Sequence, residues 1–123
     1  MVKAPRPSPV AFESRKAWEE WLADHHAGEP EVWIKLAKKG AGIPSVSYEE
    51  AVEVALCYGW IDGQARSLDD RFWMQRFTPR ARRSPWSKSN RERVAKLIET
   101  GRMKPAGLHE VERAQADGRW DAA

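Results

Sequence analysis

An arginine-rich stretch between residues 78 and 90 holds the residues best suited to bind a ligand. Its sequence, TPRARRSPWSKSN, contains four basic residues and no acidic one. It leads into a helical pattern, and the start of a helix exposes unpaired backbone N–H groups and a partial positive charge. Guanidinium groups beside such a start favour phosphate or carboxylate, so we predict an anion site with charge from Arg80, Arg82 and Arg83.

Asp62 is the acidic residue best placed to complete this site. It stands directly before Gly63, where a helical pattern has ended and a strand pattern begins. A carboxylate there can orient guanidinium groups through charge-assisted hydrogen bonds, and Trp86 would give the ligand a flat wall. The predicted ligand-binding residues are Trp60, Asp62, Arg80, Arg82, Arg83, Ser84, Trp86, Ser87 and Asn90.

The same residues have structural interpretations. The arginines can form a solvated loop or pair with nearby acids. Ser84, Ser87 and Asn90 can serve as helix caps and turn residues, and Ser87 or Ser89 is the expected cap of the following helix.

Three functions of different classes use these residues. The preferred one is a non-enzymatic module that binds an anionic small molecule or a protein partner. The second is an enzyme with Asp62 as general acid or base, although the sequence has no metal-ligand cluster, nucleophile elbow or glycine-rich phosphate loop. The third is nucleic-acid binding, since arginines between residues 71 and 93 are interleaved with Phe77 and Trp86. Asp69, Asp70 and a net charge of only +3 weaken this third function.

Composition narrows the class of protein. A chain of 123 residues has material for one core. Cys57 is the only cysteine, so no internal disulfide forms, and its position in a helical pattern predicts a small buried apolar group. The sequence has no signal-peptide pattern and no stretch that could span a bilayer, so we expect a cytoplasmic protein without membrane insertion. No cofactor or metal is expected, and the oligomeric state does not follow from the sequence.

Hydrophobic periodicity predicts the elements that position the site. Ser47 and Glu50 form a capping box for a central helix, and Gly59 ends it. Further helices are predicted over 15–26, 88–100 and from Pro105 onward. Alternating residues predict strands over 31–38, 61–67 and 71–78, the last two as a hairpin.

These elements predict an α+β fold, in which about four helices pack on a small, mainly antiparallel sheet. We expect residues 12–123 to form the domain and the proline-rich residues 1–11 to form a flexible leader. Asp62 and Arg80 are expected in one cleft. The residues expected in the core are Trp18, Trp21, Leu56, Leu97 and Val111.

Three segments resemble the YdeI/OmpD-associated family, also described as bacteriocin-protection proteins. They are EAVEVALCYGWIDG, FTPRARRSPWSKSN, and GRMKPAG followed by DGRW. The resemblance implies a role in bacteriocin or stress tolerance and an association with an outer-membrane porin, without an established reaction. Members usually continue into a helical, lysine- and arginine-rich C-terminal segment, which this chain lacks. Because the sequence has no signal-peptide pattern, an indirect cytoplasmic role is the expectation.

Overall fold

Four helices and a four-stranded sheet form an α+β fold in the computed structural model, which describes residues 8–122. The predicted fold class is confirmed. In chain order the elements are β1 (Val10–Ala11), α1 (Arg15–His25), β2 (Val32–Ala37), α2 (Tyr48–Cys57), β3 (Trp60–Ser67), β4 (Phe72–Pro79), α3 (Lys88–Glu99) and α4 (Pro105–Ala116).

The sheet has the strand order β1-β2-β4-β3, with β1 parallel to β2 and the other pairs antiparallel. The predicted strands and hairpin are present with ends shifted by a residue. β1 is an addition: Val10 and Ala11, which the sequence places in the leader, pair with Ile34 and Lys35. Two residues are too few to show a period of two, so the pattern could not reveal this strand. The leader's first seven residues lie outside the described part of the chain.

One face of the sheet forms the core with the helices. Val32, Ile34 and Leu36 are buried there, as their alternation predicts. Four of the five predicted core residues, Trp18, Leu56, Leu97 and Val111, are buried. Trp21 is only half-buried, because it stacks between Trp18 and the exposed His25 ring at the edge of α1.

A β-bulge in β3 changes which side chains face the core. Asp62 lies opposite Phe77 and Ala65 opposite Gln75, so β3 has one extra residue between these pairs. The buried Gln75 side chain donates its Nε2 to the Gly63 carbonyl at 2.7 Å. Because of the bulge, Ala65 lies on the same side of the sheet as Asp62, and Arg66, which follows Ala65, lies on the face away from the helices.

Helix α2 begins and ends as predicted. Ser47 accepts from the Glu50 N–H while the Glu50 side chain accepts from the Ser47 N–H, which completes the capping box. Gly59 follows the helix with φ of +76°, a left-handed conformation that strains other residues. The chain then enters β3 directly, so this turn fixes how the sheet meets the helix.

Helix α4 packs its first turn against the end of α2. The Lys104 N–H donates to the Cys57 carbonyl at 3.0 Å. Gly107 is buried at this contact, and a Cβ added to it would lie 2.6 Å from the Leu56 carbonyl oxygen. Backbone meets backbone here, so no side-chain rotation could make space.

Replacing Gly107 by Ala should therefore destabilise the protein, although alanine normally favours a helix over glycine. We expect the free energy of unfolding to fall by about 2 kcal/mol, the usual cost of overpacking a core. Urea denaturation measures it. Gly28→Ala is the matched control, because a Cβ at Gly28 has no neighbour within 4 Å. Equal stabilities of the two variants would contradict the close packing of α4 on α2.

Candidate anion-binding site

Arg80 is buried at the end of β4, with 7% of its surface exposed. Its backbone N–H donates to the Gly59 carbonyl at 2.9 Å, which ties the strand end to the turn after α2. Its guanidinium carbon lies 3.7 Å from the centre of the Trp86 ring. Its Nη1 donates to Ser84 Oγ at 3.0 Å and to the Pro85 carbonyl at 3.2 Å. Arg80 thus organises the loop that follows it.

The charge on Arg80 is retained at neutral pH despite this burial. Loss of solvent lowers the pKa of Arg80 to about 10, and the positive charge of Arg119 acts in the same direction. Glu110 opposes the shift, and Asp62 does so less strongly. The carboxylate that balances Arg80 most is therefore Glu110 on α4, whereas the sequence predicted Asp62.

Arg82 and Arg83 are exposed and line a cavity of about 670 Å³ between the 80–87 loop and the end of α4. We call it the cationic cleft. Its lining residues are Arg82, Arg83, Arg113, Ala116, Asp117 and Arg119.

The single carboxylate in the cationic cleft already has a partner. Arg119 Nε donates to Asp117 Oδ2 at 2.8 Å and Oδ1 at 2.9 Å. Arg119 Nη1 donates to the Ser84 carbonyl at 2.8 Å, which joins the cleft to the loop that Arg80 organises. The lining therefore has four guanidinium groups and one carboxylate, and Arg113 also pairs with Glu110 at 3.5 Å, so Arg82 and Arg83 supply most of the uncompensated positive charge.

Buried polar atoms without a partner gather beside the cleft. Among the described residues, five such side-chain atoms occur, and four are nitrogens that donate hydrogen bonds. They are Arg80 Nε, Arg80 Nη2, Trp86 Nε1 and Arg119 Nη2, and the one acceptor is Glu110 Oε2. Such atoms normally find partners, so this region has more donors than the protein itself satisfies.

A second, smaller cavity of about 300 Å³ has Arg80 and Glu110 in its lining. Trp60 lines it, together with His26 and His109. Trp60 is itself buried, and its Nε1 donates to the His26 carbonyl at 3.2 Å. Trp60 and Arg80 thus line the same small cavity, and Trp60 lies outside the cationic cleft.

Asp62 does not join the arginines. It accepts a hydrogen bond from the Tyr48 hydroxyl at 2.6 Å and lines neither cavity. Its side chain faces α2 because Asp62 lies opposite the core residue Phe77. The expectation that Asp62 and Arg80 share a cleft is therefore corrected.

The remaining predicted site residues fulfil structural roles. Trp86 is buried beneath Arg80 and beside Trp120, where the sequence predicted a wall open to a ligand. Ser87 caps α3 by accepting from the Asn90 N–H, and the Asn90 side chain accepts from Arg93. Ser84 accepts from Arg80 through its side chain.

Sequence reasoning missed Arg113, Asp117 and Arg119. They lie some thirty residues beyond the arginine-rich stretch, and α4 brings them back to it. The one local signal is the DGRW sequence after α4, where Gly118 adopts φ of +84° and returns the chain toward the core.

Several arginines that supported nucleic-acid binding have internal partners. Arg76 pairs with Glu31 at 3.1 Å, and Arg93 pairs with Glu49 at 2.9 Å. Arg91 donates to the Trp120 carbonyl at 2.8 Å. Arg91 and Arg93 lie on α3 and Arg76 lies on β4, and each is held by one of these internal contacts.

Two further kinds of site are absent from the described residues. Within 8–122, no three His, Cys, Asp or Glu side chains are grouped to hold a metal ion. None of the described helices has the length and apolar character needed to cross a membrane.

Cys57 is buried, as its position in a helical pattern predicts. Loss of solvent raises the pKa of its thiol to about 11, which keeps the thiol protonated at neutral pH.

The chain belongs to a family described as a domain of unknown function, DUF8412, whose model matches residues 10–110. Searches of curated proteins and of solved structures find no match. The matched residues include the 80–87 loop and Glu110 but end before Arg113 and Arg119. The cationic cleft is thus built from residues on both sides of that boundary.

Replacing Tyr48 by Phe tests the contact that holds Asp62. We expect the free energy of unfolding at neutral pH to fall by about 1 kcal/mol, because one hydrogen bond is lost. Burial, followed by the hydrogen bond and charge of Asp62, raises the pKa of Tyr48 from 10.0 to about 12. The unfolded tyrosine therefore ionises first, so this contribution is present below pH 10 and declines as the pH rises toward 12.

Urea denaturation of both proteins across this pH range measures the effect. Tyr48→Phe should cost less in an Asp62→Ala background, because the acceptor is then missing. The same cost in both backgrounds would show that the hydrogen bond contributes nothing.

Proposed function

We propose that this member of the DUF8412 family is a non-enzymatic module that binds an anionic small molecule or an anionic group of a protein. The binding site is the cationic cleft. The observation that carries the proposal is the set of four guanidinium groups around one cavity, whose only carboxylate is already paired with Arg119.

The arrangement favours a ligand with several oxygen acceptors. Guanidinium groups bind carboxylate and phosphate with paired hydrogen bonds, so four of them suit a di- or polyanion better than a single charge. Arg82 and Arg83 are exposed and free to approach the ligand, whereas Arg119 is held by Asp117 and Ser84. The buried donors beside the cleft strengthen the preference for negative charge.

Binding without catalysis is the simplest function for this cleft. Among the described residues, the lining of the cleft includes no histidine, serine, cysteine or tyrosine side chain. Asp62, the acid or base in the enzymatic alternative, does not line the cationic cleft and bonds to Tyr48 instead. We therefore assign the arginines to ligand capture and no residue to a reaction.

The resemblance to YdeI/OmpD-associated proteins supports a biological context for this activity. We propose that the protein acts in the cytoplasm, in bacteriocin or stress tolerance, by sensing or carrying an anion. The association with an outer-membrane porin that the resemblance implies would then be indirect.

The Arg82→Gln/Arg83→Gln double variant should lose anion binding. Thermal unfolding of the wild type is measured with inorganic phosphate, pyrophosphate and citrate, each compared with sodium chloride at equal ionic strength. A ligand at a hundredfold its Kd should stabilise the wild type by about 2.7 kcal/mol, and this gain should disappear in the variant.

The control is Arg15→Gln/Lys16→Gln, which removes two exposed charges from α1, away from the cleft. It should keep the anion-dependent gain. If no polyanion stabilises the wild type, or if both double variants lose the gain equally, specific binding in the cationic cleft is ruled out.

A further inference from the structure

The sheet has a second face that carries positive charge and aromatic rings. The strands β2, β3 and β4 contain three basic residues, Lys35, Arg66 and Arg76, and one acid, Asp62. Cross-strand pairing places Lys35, Met74 and Arg66 in one row across the three strands, and Trp33 beside Arg76 in the next row. We call this surface the open face.

The acid and the bases lie on opposite sides of the sheet. Asp62 is opposite the core residue Phe77 and bonds to α2. Because of the bulge after Asp62, Arg66 lies opposite Met74 on the other side. The strand residues of the open face therefore include three cations and no acid. Two acids outside the strands lie near these cations: Glu31 pairs with Arg76, whose side chain stays 40% exposed, and Glu13 lines a cavity together with Lys35.

Each aromatic ring on the open face has a cation above it. The Arg66 guanidinium carbon lies 5.1 Å from the centre of the Trp33 ring. Lys35 Nζ lies 4.6 Å from the centre of the Phe72 ring. Trp33 and Phe72 are half-buried and Arg66 is exposed, so the rings and cations remain within reach of a ligand.

An apolar cavity of about 290 Å³ opens beside the second of these pairs. Its lining includes Phe72, Lys35, Phe12, Ile43 and Pro44, together with one acid, Glu13. A cavity of this size and lining accepts a flat ring, and the ammonium group of Lys35 lies close enough to meet a nearby phosphate.

We propose that the open face binds single-stranded nucleic acid, with bases stacked at Trp33 and Phe72 and phosphates held by Lys35 and Arg66. Bases stack on aromatic rings and on guanidinium planes, and a positively charged surface follows the backbone. Two cations, each over one of two aromatic rings on the same face of the sheet, combine both requirements. This surface shares no residue with the cationic cleft, so the two activities are independent.

A single strand fits this face better than a duplex. The bases of a duplex are stacked on each other, so rings at the level of the strands could not reach them. An acidic peptide would use the cations but would leave the rings and the apolar cavity unfilled. The rings therefore distinguish a nucleic acid from other polyanions.

Fluorescence anisotropy of a labelled oligonucleotide of about ten nucleotides tests the proposal. Single-stranded DNA, single-stranded RNA and a duplex of the same length are titrated with the full chain between about 50 and about 200 mM salt. The expected result is binding of a single strand but not of the duplex, with a slope of log Kobs against log salt of about −1.4, as two phosphate contacts on a single strand predict.

Two variants examine the two parts of the surface. Lys35→Gln/Arg66→Gln should weaken binding and reduce the salt slope by more than half, because two phosphate contacts are lost. Trp33→Leu should weaken binding about tenfold with the salt slope unchanged, because a stacking platform is lost. Arg15→Gln/Lys16→Gln, which removes equal charge from α1, should bind as the wild type does.

Circular dichroism and urea denaturation establish that each variant is folded, and the lysine and arginine pair provides the test if Trp33→Leu is unstable. The proposal is overturned if the wild type binds no single strand at the lowest salt, or if it binds the duplex as tightly. It is also overturned if the α1 control or Arg82→Gln/Arg83→Gln weakens binding as much as Lys35→Gln/Arg66→Gln does.

Discussion

The turn at Gly59 is the constraint on which the rest of the structure depends. Three backbone connections converge within a few residues: α2 ends there, β3 begins there, and the Arg80 N–H donates to the Gly59 carbonyl. The first turn of α4 packs on the same end of α2, with Gly107 in place of a side chain. Because these contacts involve backbone, they leave little freedom for adjustment. They fix the relative positions of the 80–87 loop and α4, which form the two walls of the cationic cleft.

The arginines of the central stretch divide into two kinds because of this geometry. Arg80 is buried, and its stacking on Trp86 and its hydrogen bonds within the loop compensate for the lost hydration of its guanidinium group. Arg82 and Arg83, two and three residues later, remain exposed. A buried arginine that rigidifies a loop lets its exposed neighbours meet a ligand with less loss of side-chain and loop entropy. The same sequence motif thus provides both the buried support and the exposed guanidinium groups of the proposed ligand site.

The two faces of the sheet separate the acidic strand residue from the basic ones. Its helix-facing side excludes water and holds the only strand acid, which α2 satisfies through Tyr48. Its open face holds the strand cations and two aromatic rings. The β-bulge after Asp62 is what assigns Arg66 to the open face, since an uninterrupted strand would have put both residues on the same side. Gln75 stabilises the bulge by occupying its free carbonyl.

Local patterns in the sequence determined the helices, their caps and three of the strands, because each of these is encoded by residues a few positions apart. The capping box at Ser47 and the left-handed turn at Gly59 were predictable in this way. The candidate site was predictable only in part. Arg82 and Arg83 were identified from composition, whereas Arg119 joins them through a helix packed some thirty residues later. The direction of Asp62 depended on strand register, and the two-residue β1 depended on a neighbouring strand. The tertiary structure decided these points, because burial, register and close backbone packing are set by residues far apart in the chain.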